Sequence, residues 1–130
     1  MKMDRILLKM SGEALAGDKK HGFDEETVRD VSNQVKQIVD KGIQVCVVIG
    51  GGNFWRGRTS DNMDRVKADS IGMLAPVMIC IYTADSFRSC GIKTHIMTPF
   101  VCGNMTELFD KDKAIAYMEQ GDVVFFAGGI

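Results

Sequence analysis

Six residues, Gln44-Val45-Cys46-Val47-Val48-Ile49, run without interruption into Gly50-Gly51-Gly52. A run this short, this rich in β-branched side chains and this abruptly ended predicts a strand. Because it is apolar at nearly every position and not at every second one, it predicts a strand covered on both faces, as in a parallel sheet. Three other segments share the character: Arg5 to Lys9, the weaker run Ile92 to Met97, and Asp122 to Phe126, which Gly128-Gly129 halts. Parallel neighbours cannot be joined by hairpins, so helices are expected between them.

Helical patterns do lie there. Val28, Val31, Val35, Ile38 and Val39 recur at helical spacing among polar residues. Asp24 suits the N-cap, Glu25 and Glu26 suit the positive helix start, and Lys41-Gly42 suits its end. A longer helix is predicted from about Met63 to Cys90, apolar on most sides between Ile71 and Ile81, which makes it a buried element or a subunit contact. A short third helix runs from Lys111 to Gln120, with Gly121 as its stop. The predicted order is β-α-β-α-β-α-β in one domain of 130 residues, an α/β layered fold.

Composition narrows the function. The chain is 45% hydrophobic and 25% charged, which excludes disordered and fibrous classes. Sixteen basic against seventeen acidic residues leave a net charge of −1. That balance speaks against nucleic-acid and polybasic membrane partners, though not against one small anion pocket. No apolar run is long enough to cross a bilayer and Met1-Lys2-Met3-Asp4-Arg5 lacks a signal-peptide core, so a cytoplasmic protein is expected. Cys46, Cys80, Cys90 and Cys102 have neither metal-ligand nor disulfide spacing and read as reduced, buried fillers.

In open α/β sheets ligands collect beyond the carboxyl ends of the strands. Ser11-Gly12 follows the first predicted strand, Gly50-Gly51-Gly52 the second and Gly128-Gly129 the fourth. If those strands are parallel, the three turns share one rim, where glycine backbone can approach a ligand closely and exposed N–H groups can cradle an anion. Lys9 and Arg56 flank the first two turns and would add charge; the plainer alternative is that the glycines only make tight turns. No G-x-x-x-x-G-K-[ST] is present, and no G-x-G-x-x-G follows the first strand, so neither a P-loop hydrolase nor a nicotinamide dehydrogenase is indicated. Asp69 lies near the start of the long helix. It is either a solvated surface acid or an acceptor for a ligand hydroxyl such as a ribose. His21 and His95 stand apart from each other and from cysteine, and read as surface or internally satisfied histidines, not metal ligands. Trp55 covers a ligand or packs its loop; the residues alone do not separate the two.

Three blocks carry a family resemblance: Leu7-Leu8-Lys9-Met10-Ser11-Gly12-Glu13-Ala14-Leu15, Val48-Ile49-Gly50-Gly51-Gly52-Asn53-Phe54-Trp55-Arg56-Gly57, and Asp69-Ser70-Ile71-Gly72-Met73-Leu74-Ala75. In order and spacing they resemble the bacterial UMP kinase branch of the amino-acid kinase superfamily, and the similarity runs the length of the chain. The resemblance implies a three-layer α-β-α fold with a mainly parallel sheet. It also implies transfer of a phosphoryl group from ATP to UMP, with Mg2+ accompanying ATP. Lys9 and Arg56 would be catalytic. Lys9, Met10, Ser11, Gly12, Gly52 and Arg56 would bind ATP, while Gly51, Asp69 and Ile130 would bind UMP. The polar stretch Gly17-Asp18-Lys19-Lys20-His21-Gly22 occupies the place of the family's GTP activation region, and the family's hexamer implies a homo-oligomer. Such a reaction asks a protein for positioning and electrostatic stabilisation, not for a nucleophile.

Three departures from the family pattern bear on these expectations. The chain ends at Ile130, so the adenine-binding half is expected to be absent and the 130-residue chain to lack kinase activity alone. Pro76 stands inside the long helix where the family has a small or hydroxylated residue, and an interior proline costs about 3 kcal/mol. Ile79 stands where the family commonly has Asn. The alternative expectation is a non-catalytic phosphate- or nucleotide-binding or assembly module.

Overall fold

A computed structural model describes residues 4–11, 15, 24–50, 65–100 and 102–127, with backbone alone for 65–73. In chain order the elements are β1 (Arg5–Ser11), α1 (Glu25–Asp40), β2 (Gln44–Gly50), α2 (Arg65–Ser89), β3 (Thr94–Thr98), β4 (Glu107–Leu108), α3 (Lys111–Glu119) and β5 (Val123–Phe126). The strands form one sheet in the order β1-β2-β5-β3-β4, and every pairing is parallel.

The helix boundaries follow from local chemistry. The Asp24 carboxylate accepts from the Thr27 backbone N–H at 3.2 Å and satisfies an amide that the first turn leaves unpaired. At the other end of α1, the Lys41 N–H returns to the Ile38 carbonyl, and Gly42 turns the chain away at φ +82°. Asp110 caps α3 in the same manner, donating nothing and accepting from the Asp112 and Lys113 amides. Gly121, at φ +90°, ends that helix. The long helix α2 runs unbroken through Pro76, which is buried within it.

Alternation along each strand divides the interior in two. Val45, Val47 and Ile49 of β2, Ile96 of β3, and Val123 and Phe125 of β5 point to one face. There they pack with Val28 and Val35 of α1 and with Val77, Ile79, Cys80, Ala84 and Phe87 of α2. Phe87 meets Phe125 edge-on with ring centres 5.1 Å apart. The intervening residues Cys46, Met97 and Val124 point to the other face and pack under Ala114 and Met118 of α3. The result is three layers, as expected, with α1 and α2 on one side and the short α3 on the other. Ile79 is completely buried in the larger core, a setting that suits an apolar side chain better than an amide.

Three expectations need correction. There are five strands among the described residues, not four: Glu107–Leu108 is too short to leave a periodic signal, and it exists because it pairs with Met97 and Thr98. The expectation that the strands are covered on both faces fails for β1, whose Arg5, Leu7, Lys9 and Ser11 are all exposed, Leu7 by 63%. The nine residues of α3 reach only across the middle of the sheet. Finally, Cys46 and Cys80 are buried as expected, but Cys90 and Cys102 are only half-buried.

Candidate functional site: the C-terminal rim of the sheet

Parallel pairing sets where the strands end. Ser11 lies opposite Gly50 across β1 and β2, and Lys9, Val48 and Phe126 form one row across β1, β2 and β5. The carboxyl ends of these three adjacent strands therefore share one rim, which is the geometry the glycine turns required. Among the described residues, Ser11, Gly50 and the buried Ala127 lie where the three strands end at that rim, the last held by its N–H to the Met97 carbonyl at 3.0 Å.

Side-chain direction sorts the first strand. Lys9 is exposed on the α3 side of the sheet, two residues before the rim. Met10 turns to the opposite side and packs against the larger core, so only its backbone is available to a ligand. A Cβ placed on Gly50 would meet nothing within 4 Å among the described residues. Nothing among the described residues crowds this backbone, as close approach of a phosphate would require.

The long helix reaches the same rim. Its 25 residues span roughly 37 Å, whereas the seven residues of β2 span roughly 23 Å. Its C-terminal end is followed by Gly91 and Ile92 at the foot of β3, so the excess length lies at its N-terminal end, beyond the carboxyl ends of the strands. Asp69 belongs to the second turn of that overhang. Its backbone is helical, and its side chain lies outside what the structure describes. Gly12, Gly17 to Gly22, Gly51, Gly52, Arg56 and Ile130 also lie outside the described residues, as do His21 and Trp55.

His95 is satisfied internally, in line with expectation: its Nε2 is 2.9 Å from Asp122 Oδ2. It belongs to a polar cluster with Glu107, Lys113 and Tyr117 that sequence reasoning missed. The one local hint was the Lys113/Tyr117 pair at helical i,i+4 spacing; its partners come from β3, β4 and the start of β5 and converge only on folding. Glu107 occupies the same row as Lys9, at the opposite edge of the sheet. Four strand spacings, roughly 19 Å, separate them. The cluster is therefore not part of the rim site. Among the described residues no group of three or more His, Cys, Asp or Glu could hold a metal ion. No described helix is long and apolar enough to cross a membrane.

Residues 4–130 match the profile of the amino acid kinase family. The chain belongs to that family. A uridylate kinase of Limosilactobacillus reuteri is 41% identical over 131 residues, covering 99% of this chain and 55% of the relative. The crystal structure of UMP kinase from Bacillus anthracis superposes with a TM-score of 0.87 at 32% identity, over 99% of this chain and 54% of that one. That of UMP kinase from Ureaplasma parvum superposes with a TM-score of 0.86 at 27% identity, over 99% and 55%. This amino acid kinase chain thus spans about half the length of the relatives it matches.

Proposed function

We propose that this chain serves phosphoryl transfer from ATP to UMP, giving UDP and ADP. The observation that carries the reading is the shared rim of β1, β2 and β5, with Lys9 beside it, in a chain 41% identical to a uridylate kinase. Lys9 would neutralise charge on the transferring phosphoryl group, and the Ser11-Gly12 turn would hold ATP phosphate oxygens. Gly51 would lie against UMP and Gly52 against ATP, which sets the triple-glycine turn between acceptor and donor. Arg56 would bind phosphate oxygens, Asp69 the UMP ribose, and Ile130 the UMP side of the site. Mg2+ would accompany ATP and supply positive charge at its phosphates.

Residues 17–22 are proposed as the region that responds to GTP. A second copy of the chain is proposed as partner, because Leu74 and Met78, one turn apart on α2, are 44% and 55% exposed. These assignments imply a cytoplasmic enzyme of pyrimidine nucleotide metabolism.

The test combines calorimetric titration with coupled ADP release, on this chain and on a version extended to its relatives' length. UMP binding that is lost in Asp69→Ala and Arg56→Ala, with turnover in the extended chain lost in Lys9→Met, is the expected result. Binding without turnover in the extended chain would favour a nucleotide-binding module, and indifference of both chains to UMP would overturn the assignment.

A further inference from the structure

At the corner where β3, β4 and α3 meet, one carboxylate gathers two donors beside an imidazole. Glu107 Oε1 accepts from the Tyr117 hydroxyl at 2.8 Å and lies 3.3 Å from Lys113 Nζ. Its Oε2 is 3.5 Å from His95 Nδ1. These neighbours are themselves held in place. The imidazole stacks face to face on the Tyr117 ring, centres 3.5 Å apart and planes 3° apart, while its Nε2 engages Asp122. Tyr117 and Lys113 are one helical turn apart, so α3 delivers both to the same oxygen.

Little else attaches β4 to the sheet. The ladder has two register pairs, Met97 with Glu107 and Thr98 with Leu108. One flanking bond runs from the Phe109 N–H to the Thr98 carbonyl at 2.8 Å. A Thr98–Thr106 hydroxyl contact at 2.9 Å and a tilted contact between the Phe109 and Phe126 rings, centres 5.7 Å apart, are the further attachments among the described residues. Hydrophobic burial adds little, because Met105, Leu108 and Phe109 are 56%, 53% and 57% exposed. A segment so poorly buried opens locally at low cost unless side chains hold it.

We propose that Glu107 is a latch: its charged carboxylate, bound by Tyr117 and Lys113, keeps residues 105–109 on the edge of β3. Neutralising it releases that strap while the β1-β2-β5-β3 ladder stays paired. The charge-assisted bonds are the strong ones in this corner, and an uncharged oxygen keeps only part of them. The device is directional in pH. Burial pushes the Glu107 carboxyl up, but the hydrogen bonds from Tyr117 and Lys113, helped by the positive charge of Lys113 and His95, outweigh it and leave the group below its ordinary value. A depressed carboxylate stabilises the closed strap fully above the ordinary carboxylate range, and that stabilisation fades as pH falls through the folded value. Bonding to Glu107 also pushes both Lys113 and Tyr117 up, so the closed state extends to alkaline pH. Among the described residues, Asp110, beside Lys113, and Asp122, beyond His95, are the remaining charges facing the corner.

Backbone amide exchange followed by NMR on the full chain tests the latch. In Glu107→Gln at neutral pH, the Phe109 amide should exchange about tenfold faster, while the Val47 and Val124 amides stay within about twofold. Tyr117→Phe should produce a smaller acceleration at the same amide. In the unmodified chain, Phe109 protection corrected for intrinsic exchange should fall relative to Val124 between about pH 6 and 3. An unchanged Phe109 amide in Glu107→Gln, or equal acceleration at Val47 and Val124, overturns the latch. Should Glu107→Gln fail to fold, the pH profile of the unmodified chain decides, and a flat profile overturns the proposal.

Discussion

Replacing Thr83 by Val should make this protein more stable, a reversal of the usual outcome for a core substitution. Thr83 is completely buried on the sheet-facing side of α2, and its hydroxyl finds no hydrogen-bond partner among the described residues. Burying an unsatisfied hydroxyl costs about 1–3 kcal/mol, and valine replaces it with a methyl of nearly the same shape. The two residues have similar helix propensities, so the backbone contribution nearly cancels. The surroundings are apolar, with Cys80, Ala84 and Phe87 on the same helix, and a small part of the gain goes into accommodating the methyl. A net stabilisation of about 1–2 kcal/mol is expected, equivalent to a rise in Tm of about 4–8 °C for a domain of this size. Urea and thermal unfolding measure it directly. Thr83→Ser serves as control: it keeps the orphan hydroxyl, loses the methyl, and should be about 1 kcal/mol less stable. A Thr83→Val protein less stable than the original, with an unchanged urea m-value, would refute the reasoning. It would mean that the hydroxyl is bonded in solution, with the Ile79 carbonyl one turn back as the natural acceptor.

Phe87→Ala should cost about 3–5 kcal/mol in urea unfolding, because a fully buried ring wedged edge-on against Phe125 leaves a cavity. Asp24→Ala removes the acceptor for the Thr27 amide and should cost about 1 kcal/mol, with Asp24→Asn recovering most of it. Burial pushes the Cys80 thiol up to about 12 and raises Cys46 as well, although Arg5 partly opposes the latter. In the native protein at pH 8 both should resist alkylation while the half-buried Cys90 and Cys102 react, and mass spectrometry of the labelled peptides checks the order. Rapid native labelling of Cys80 would contradict its place in the core.

The helices were legible because their signals are local. Asp24, Glu25 and Glu26 at one end and Lys41-Gly42 at the other bound α1 where the structure places it, and Gly121 likewise marked the end of α3, read as Lys111 to Gln120. Strands β2 and β5 were legible for a different reason: buried on both faces, they are apolar at nearly every position and need no partner to be recognised. β4 was not legible. Two residues carry no period, and Glu107–Leu108 becomes a strand only because the end of β3 lies alongside. The one-sided exposure of β1 was hidden for the same reason. Ile6-Leu7-Leu8 reads as a buried run, yet which face is covered depends on how far α3 reaches across the sheet.

The rim shows the same division. Chain order alone put a glycine turn after the first, second and last strands, since a turn residue is required by its own backbone wherever the chain ends up. That the strands leading into them end side by side is a property of the strand order β1-β2-β5-β3-β4, in which the last strand inserts beside the second. Sequence thus determined what each segment could become, through interactions that span a few residues. Only the tertiary structure decided which segments are neighbours, and with it the rim beside Lys9 and the Glu107 corner at the far edge. Pairing across dozens of residues depends on burying the whole sheet at once, which no local stretch of chain encodes.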